Sequence, residues 1–209
     1  MSVKNKLIIV LNVLAITLLG GCSQTPTKLA DLQKQAYQQP KTEPLATNLN
    51  DKDEYEFALD LVGLEIKRQH YSRAEVLLQK LRKIDRTDVR IYRLLGQVYE
   101  AQNKLDLALI AWKEVNKSND KTTKDEAQLG RLALMENQFK LAESIYQAWL
   151  NSDKEVVQVS GLNNLGFSAM LQKKNARAKT YFLQALQKDP LNSKAMNNLK
   201  LLDTLVGRL

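Results

Sequence analysis

Two kinds of hydrophobic pattern divide this chain. Residues 7–19 (LIIVLNVLAITLL) form a nearly unbroken apolar run behind Lys4 and Lys6. From Tyr55 onward, apolar residues instead recur at the spacing of a helix face, and no alternating stretch long enough for a strand occurs. Between these regions, residues 22–54 hold Pro26, Pro40 and Pro44, much Gln and Thr, and few large apolar groups. Such a segment buries too little surface to offset its ordering entropy, so the pattern predicts a tether. Within it, Thr27 is a candidate cap for a short helix carrying Leu29, Leu32, Ala36 and Tyr37. The remainder reads as all-α.

The helical region repeats internally. Gly96, Gly130 and Gly166 lie 34 and 36 residues apart. Twelve residues after each comes an alanine (Ala108, Ala142, Ala178), and four further on an aromatic (Trp112, Tyr146, Phe182). The expected repeats are 55–88, 89–122, 123–156 and 159–192, with Val157-Gln158 inserted before the last. The first is the most divergent, with Val62 where the glycine is expected and Gly63 one step late. Residues 193–209, with Ala195, Leu199, Leu202 and Val206 at helical spacing, are expected to cap the end.

This pattern resembles the tetratricopeptide (TPR) motif. The best match runs through Leu162, Leu165, Gly166, Ala169, Ala178, Phe182, Ala185 and Pro190. The resemblance implies a TPR α-solenoid of about four helix-turn-helix repeats with a C-terminal capping helix. It places Gly166 against Ala178 at a close helix crossing, with Leu165 and Phe182 around them, and has Asp189-Pro190 stop the second helix. Trp112, Tyr146, Trp149 and Phe182 read as core.

The N-terminal run is too short for a stable span. Thirteen helical residues cover about 20 Å, against a hydrocarbon core of about 30 Å. A basic start, an apolar stretch and small residues make a secretory signal at 1–21. Leu19-Gly20-Gly21-Cys22 resembles the lipobox of bacterial lipoproteins, which implies cleavage after Gly21 and lipidation of Cys22. Ser23 in place of Asp resembles the default signal for sorting to the outer membrane of a Gram-negative cell. The expected organisation is a signal at 1–21, a lipid-anchored tether at 22–54 and a TPR domain at 55–209, on the periplasmic face of that membrane.

Charge adds little. The chain has 31 Lys+Arg and 23 Asp+Glu, a net of +8, of which Lys4 and Lys6 leave with the signal. No run of five like charges marks a nucleic-acid arm, so no nucleic-acid partner is expected. One histidine and one cysteine leave no catalytic or zinc constellation. His70 reads as a solvated turn residue, and no enzyme activity, metal or cofactor is expected. The acidic pairs Asp53-Glu54 and Asp125-Glu126 suit helix starts.

Function is expected in the groove that TPR first helices line. The resemblance puts Arg90, Arg93, Gln97 and Glu100 there from the second repeat. The third repeat supplies Lys124, Ala127, Arg131 and Leu134, and the fourth Ser160, Asn163, Phe167 and Met170. The arginines suit carboxylates, Asn163 suits a peptide backbone, and Phe167 and Met170 suit an apolar side chain. A lipid-anchored TPR protein of this size resembles the assembly lipoprotein of tight-adherence (Tad/Flp) pili. That resemblance implies a scaffold with envelope-protein partners such as a secretin or pilus-assembly component. Type IV pilotins, and adaptors that recruit a peptidoglycan hydrolase or protease, share the same features.

Overall fold

The computed structural model describes residues 50–207. The signal at 1–21, Cys22, Ser23 and the tether up to residue 49 lie outside the described residues. Nine helices follow one another among the described residues: α1 (Asp51–Lys67), α2 (Tyr71–Ile84), α3 (Val89–Ala101), α4 (Leu105–Lys117), α5 (Thr123–Met135), α6 (Phe139–Trp149), α7 (Glu155–Leu171), α8 (Asn175–Lys188) and α9 (Ser193–Val206). Each packs on its chain neighbours, and α9 packs on α7 as well. The first eight form four hairpins, and α9 closes the stack.

Two boundaries differ from the sequence reading. Helix α1 opens at Asp51, ahead of the repeat boundary at 55 and of the Asp53-Glu54 start, because Asp51, Asp53 and Glu54 make a favourable acidic first turn. Helix α7 opens at Glu155 and absorbs the Val157-Gln158 insertion as an extra turn. The Gln158 amide ties that turn back by donating to the Ser152 carbonyl at 2.7 Å.

The turns inside the hairpins share one construction. Gln69, Asn103, Asn137 and Lys173 adopt positive φ, between 55° and 61°. At the first turn, Gln69 N–H donates to Ile66 and His70 N–H reaches back to the Glu65 carbonyl. The same pair of bonds recurs at Asn103–Lys104, Asn137–Gln138 and Lys173–Lys174. This Schellman arrangement satisfies the last carbonyls of one helix, and α2, α4, α6 and α8, which open directly after it, carry no side-chain cap. Three of the four helices that open after the longer connections carry a side-chain cap, Asp88 for α3, Thr122 for α5 and Asn192 for α9, whereas α7, opening after Lys154, has none. Lys188 is the last residue of α8, with Asp189-Pro190 directly after it.

His70 is more than a solvated turn residue. Its Nδ1 lies 3.0 Å from the carboxylate of Glu65, which is 7% exposed. The histidine gives a nearly buried carboxylate its partner.

The glycines lie beneath aromatic rings. A Cβ built at Gly96 meets Trp112 at 2.6 Å, at Gly130 Tyr146 at 2.5 Å, and at Gly166 Phe182 at 2.5 Å. The sequence reading placed Gly166 against Ala178; the nearest atoms belong instead to the Phe182 ring. Both tryptophans are core, as expected, but each also carries a polar tie. Trp112 Nε1–H donates to Glu100 at 2.8 Å and Trp149 Nε1–H to Glu126 at 2.7 Å.

One apolar cluster runs from Leu59 through Trp149 and takes in Leu165. Beyond it, Val159, Leu162, Ala185 and Ala195 form one small cluster, and Ala169, Ala178, Phe182 and Leu202 another. Ion pairs follow the same division. Arg90–Glu56 and Lys104–Glu75 join hairpins one and two, and Arg93–Asp125 and Arg131–Glu100 join two and three. Between hairpins three and four no ion pair forms among the described residues. There Gln172 and Ser168 donate to Glu143 at 2.6 and 3.2 Å.

Candidate functional site

The candidate groove residues fall into two groups. The three arginines are not free to receive a ligand. Arg90 meets Glu56 and Asp88, each at 2.8 Å, and Asp88 also accepts from Tyr55. Arg93 Nε–H and Nη2–H donate to Asp125 at 3.0–3.1 Å, and Nη2–H also to the Asp120 carbonyl at 2.7 Å. Arg131 pairs with Glu100 and donates to Gln128. The repeat that puts basic residues on one face also puts an acid from the neighbouring hairpin opposite each of them. The expected open basic floor is therefore a set of inter-repeat ties, and Glu at these three positions would set like charges against Glu56, Asp125 and Glu100.

Asp125 is the most tightly held of these acids. Its carboxylate also accepts from the Thr122 backbone N–H and hydroxyl, each at 2.9 Å, completing a capping box. Burial pushes the Asp125 carboxyl up, but the hydrogen bonds from Arg93 and Thr122 together outweigh it and hold the group below the usual carboxylate range.

Lys124, Arg131, Asn163 and Phe167 come together along a groove between α5 and α7. It has two chambers. The first, of about 620 Å³, lies toward the C-terminal ends of the helices, between Arg131, Leu134, Met135, Phe167, Leu171 and Tyr146. The second, of about 320 Å³, lies toward their N-terminal ends, with Lys124, Ser160, Asn163, Asn192 and Lys194 among its walls. Ala127 and Asn164 belong to both. Burial pushes the Tyr146 hydroxyl up to about 12, so it is a neutral donor at the chamber wall.

The other candidates lie elsewhere. Gln97 is exposed and borders neither chamber. Met170 packs against the small cluster of Ala169, Ala178, Phe182 and Leu202. Asn163 is largely committed. Its Oδ1 accepts from Asn198 Nδ2 at 2.9 Å, which ties the capping helix to the fourth hairpin.

Sequence reasoning missed Met135, Leu171 and Lys194, although a signal for each was present. Met135 and Leu171 lie one helical turn beyond the groove positions Arg131 and Phe167. Lys194 appears when the repeat register is carried into the capping helix, where it is equivalent to Lys124 and Ser160. Nothing in the sequence singled out Asn164.

No family model and no curated protein matches this chain. Solved structures do match it. YrrB, described as a TPR protein with an unusual peptide-binding site, superposes with a TM-score of 0.57 at 16% identity, over 72% of this chain and 76% of YrrB. Pseudomonas aeruginosa pilF gives 0.56 at 18% identity, over 76% of this chain and 72% of its own. Desulfovibrio magneticus RS-1 MamA gives 0.62 at 15% identity, over 74% and 86%. At these identities the likeness is one of fold. The chain is an all-α TPR solenoid.

Proposed function

We propose that this chain is a lipid-anchored scaffold that holds another envelope protein through the groove between α5 and α7, in assembly of a Tad/Flp-type pilus or its outer-membrane secretin. The observation that carries the reading is the groove itself. It crosses two hairpins, exposes Met135 and Leu171 by 52% and 44%, and contains an ammonium at Lys124 with no partner among the described residues. TPR solenoids offer such surfaces to protein segments, and the solved YrrB structure is described as having a peptide-binding site. The lipobox resemblance supports the anchor and the compartment, and the Tad/Flp resemblance supports the system.

Two measurements test the proposal. Cys22→Ala should abolish labelling by a tagged fatty acid and release the protein from the membrane fraction, since no second thiol exists to take the lipid. Label retained on the variant rules the anchor out. In cells, a photo-crosslinking residue at Leu171 should trap a secretin or pilus component, whereas one at Ile110, exposed on α4, should not. Adducts from Ile110 and none from Leu171 would move the binding surface elsewhere. A trapped peptidoglycan hydrolase would replace the pilus reading with the adaptor one.

A further inference from the structure

We propose, building on the scaffold reading, that the groove selects an extended acidic segment of its partner. One large apolar side chain enters the Met135–Leu171 chamber, and a carboxylate about five residues away meets Lys124 and Lys194.

The charge pattern supplies the polar half of this specificity. On this face Arg90, Arg93 and Arg131 are each neutralised by an acid of the neighbouring hairpin. Lys124 and Lys194 differ, since neither ammonium has an acidic partner among the described residues, and both border the second chamber. The nearby carboxylates are engaged. Asp125 is held by Arg93, and Glu126 by the Trp149 indole and by Lys121. Two positive charges with no counter-charge from the protein favour an anionic ligand, and they come from different elements, α5 and α9, so they can approach one carboxylate from two sides.

The apolar half comes from the other chamber. Leu134, Met135, Phe167 and Leu171 surround a space large enough for an aromatic or long aliphatic side chain, and Met135 has the flexibility to close on either. Arg131 adds no free charge there because Glu100 holds it. Asn164 lies between the chambers. Its Oδ1 accepts from Asn163, and its amide N–H groups make no bond among the described residues. A peptide carbonyl passing between the two anchors would meet those donors.

Spacing gives the register. Lys124 and Met135 are separated by eleven helical residues, roughly 16 Å at 1.5 Å per residue. An extended chain covers that in about five residues at about 3.3 Å each. A helical ligand would need about eleven, so the register also reports the conformation of the bound segment.

The experiment is selection of random short peptides displayed on phage against the full chain in detergent. Enriched sequences should pair Phe, Leu, Met or Trp with Asp or Glu about five positions away. Lys124→Glu with Lys194→Glu should turn the preference from acidic to basic peptides, by roughly tenfold or more. Met135→Asp with Leu171→Asp, both at exposed positions, should remove the apolar preference while circular dichroism stays unchanged. Enriched peptides without the acidic–apolar pair, or an acidic preference that survives the lysine reversal, overturn the inference. So does a doubling of mass with concentration that is lost in Met135→Asp, which makes the occupant a second copy. An absence of enrichment also overturns it, and the Leu171 cross-link then decides separately whether the scaffold reading stands.

Discussion

Gly166→Leu is expected to cost about 3 kcal/mol or more and to lower the thermal midpoint by roughly 6–12 °C. The reason is the ring above it. A Cβ at this position lies 2.5 Å from Phe182 Cε1, and Phe182 is fully buried in α8, clustered with Ala169 of α7 and Leu202 of α9. Branching at Cγ then drives atoms through the plane of the ring. Gly63→Ala makes the opposite control. Nothing lies within 4 Å of its Cβ, so the substitution should gain about 0.5–1 kcal/mol of helix propensity. Thermal melts of the two variants give both signs. A Gly166→Leu midpoint within a degree or two of wild type would contradict the packing described for hairpin four.

The second large effect is at Asp125. Asp125→Asn should cost about 2–3 kcal/mol near neutral pH, because the amide keeps the side-chain volume but puts N–H groups where Arg93 and Thr122 need acceptors. The loss should be pH-dependent. The wild-type carboxyl sits below its ordinary range, so its contribution is whole above about pH 5 and fades as the pH falls below the ordinary aspartate value of about 3.9. Urea midpoints against pH should show wild type and variant converging in acid. A constant gap between the two curves would place the effect in packing and not in the charge.

Much of the fold was legible in the sequence, for physical reasons. Glycines 34 and 36 residues apart, each followed by an aromatic sixteen residues on, leave few alternatives to stacked hairpins. The identity of the contact was not legible. Alanine and aromatic both lie on the helix face opposite Gly166, and the one that closes on it depends on a rotamer. The groove was legible by position but not by charge state. Helix periodicity placed Arg90, Arg93 and Arg131 on one face, but their neutralisation needs the lateral offset between hairpins, which brings Arg93 to Asp125 and Arg131 to Glu100. The two lysines left without acids stand out only once those pairs are known. Gln69 and Lys173 at positive φ carry no strong sequence signal, whereas Asn103 and Asn137 are residues that this conformation favours.

The change in core and ion pairing at the third hairpin has a consequence for cooperativity. In a one-dimensional stack, stability is divided between the units and the couplings between neighbours. The first three hairpins are coupled by a shared core and by charges, so they should melt as one block whose coupling weakens as salt rises. The fourth hairpin and α9 are joined to that block by hydrogen bonds from the uncharged donors Gln172 and Ser168 to the Glu143 carboxylate and by contacts such as Leu165, none of them an ion pair that salt would screen. Opening at this border should therefore respond less to salt than opening among the first three hairpins. The groove lies across this border, so a bound segment would act as a staple, and the affinity of the site and the cooperativity of the whole solenoid would be one linked quantity.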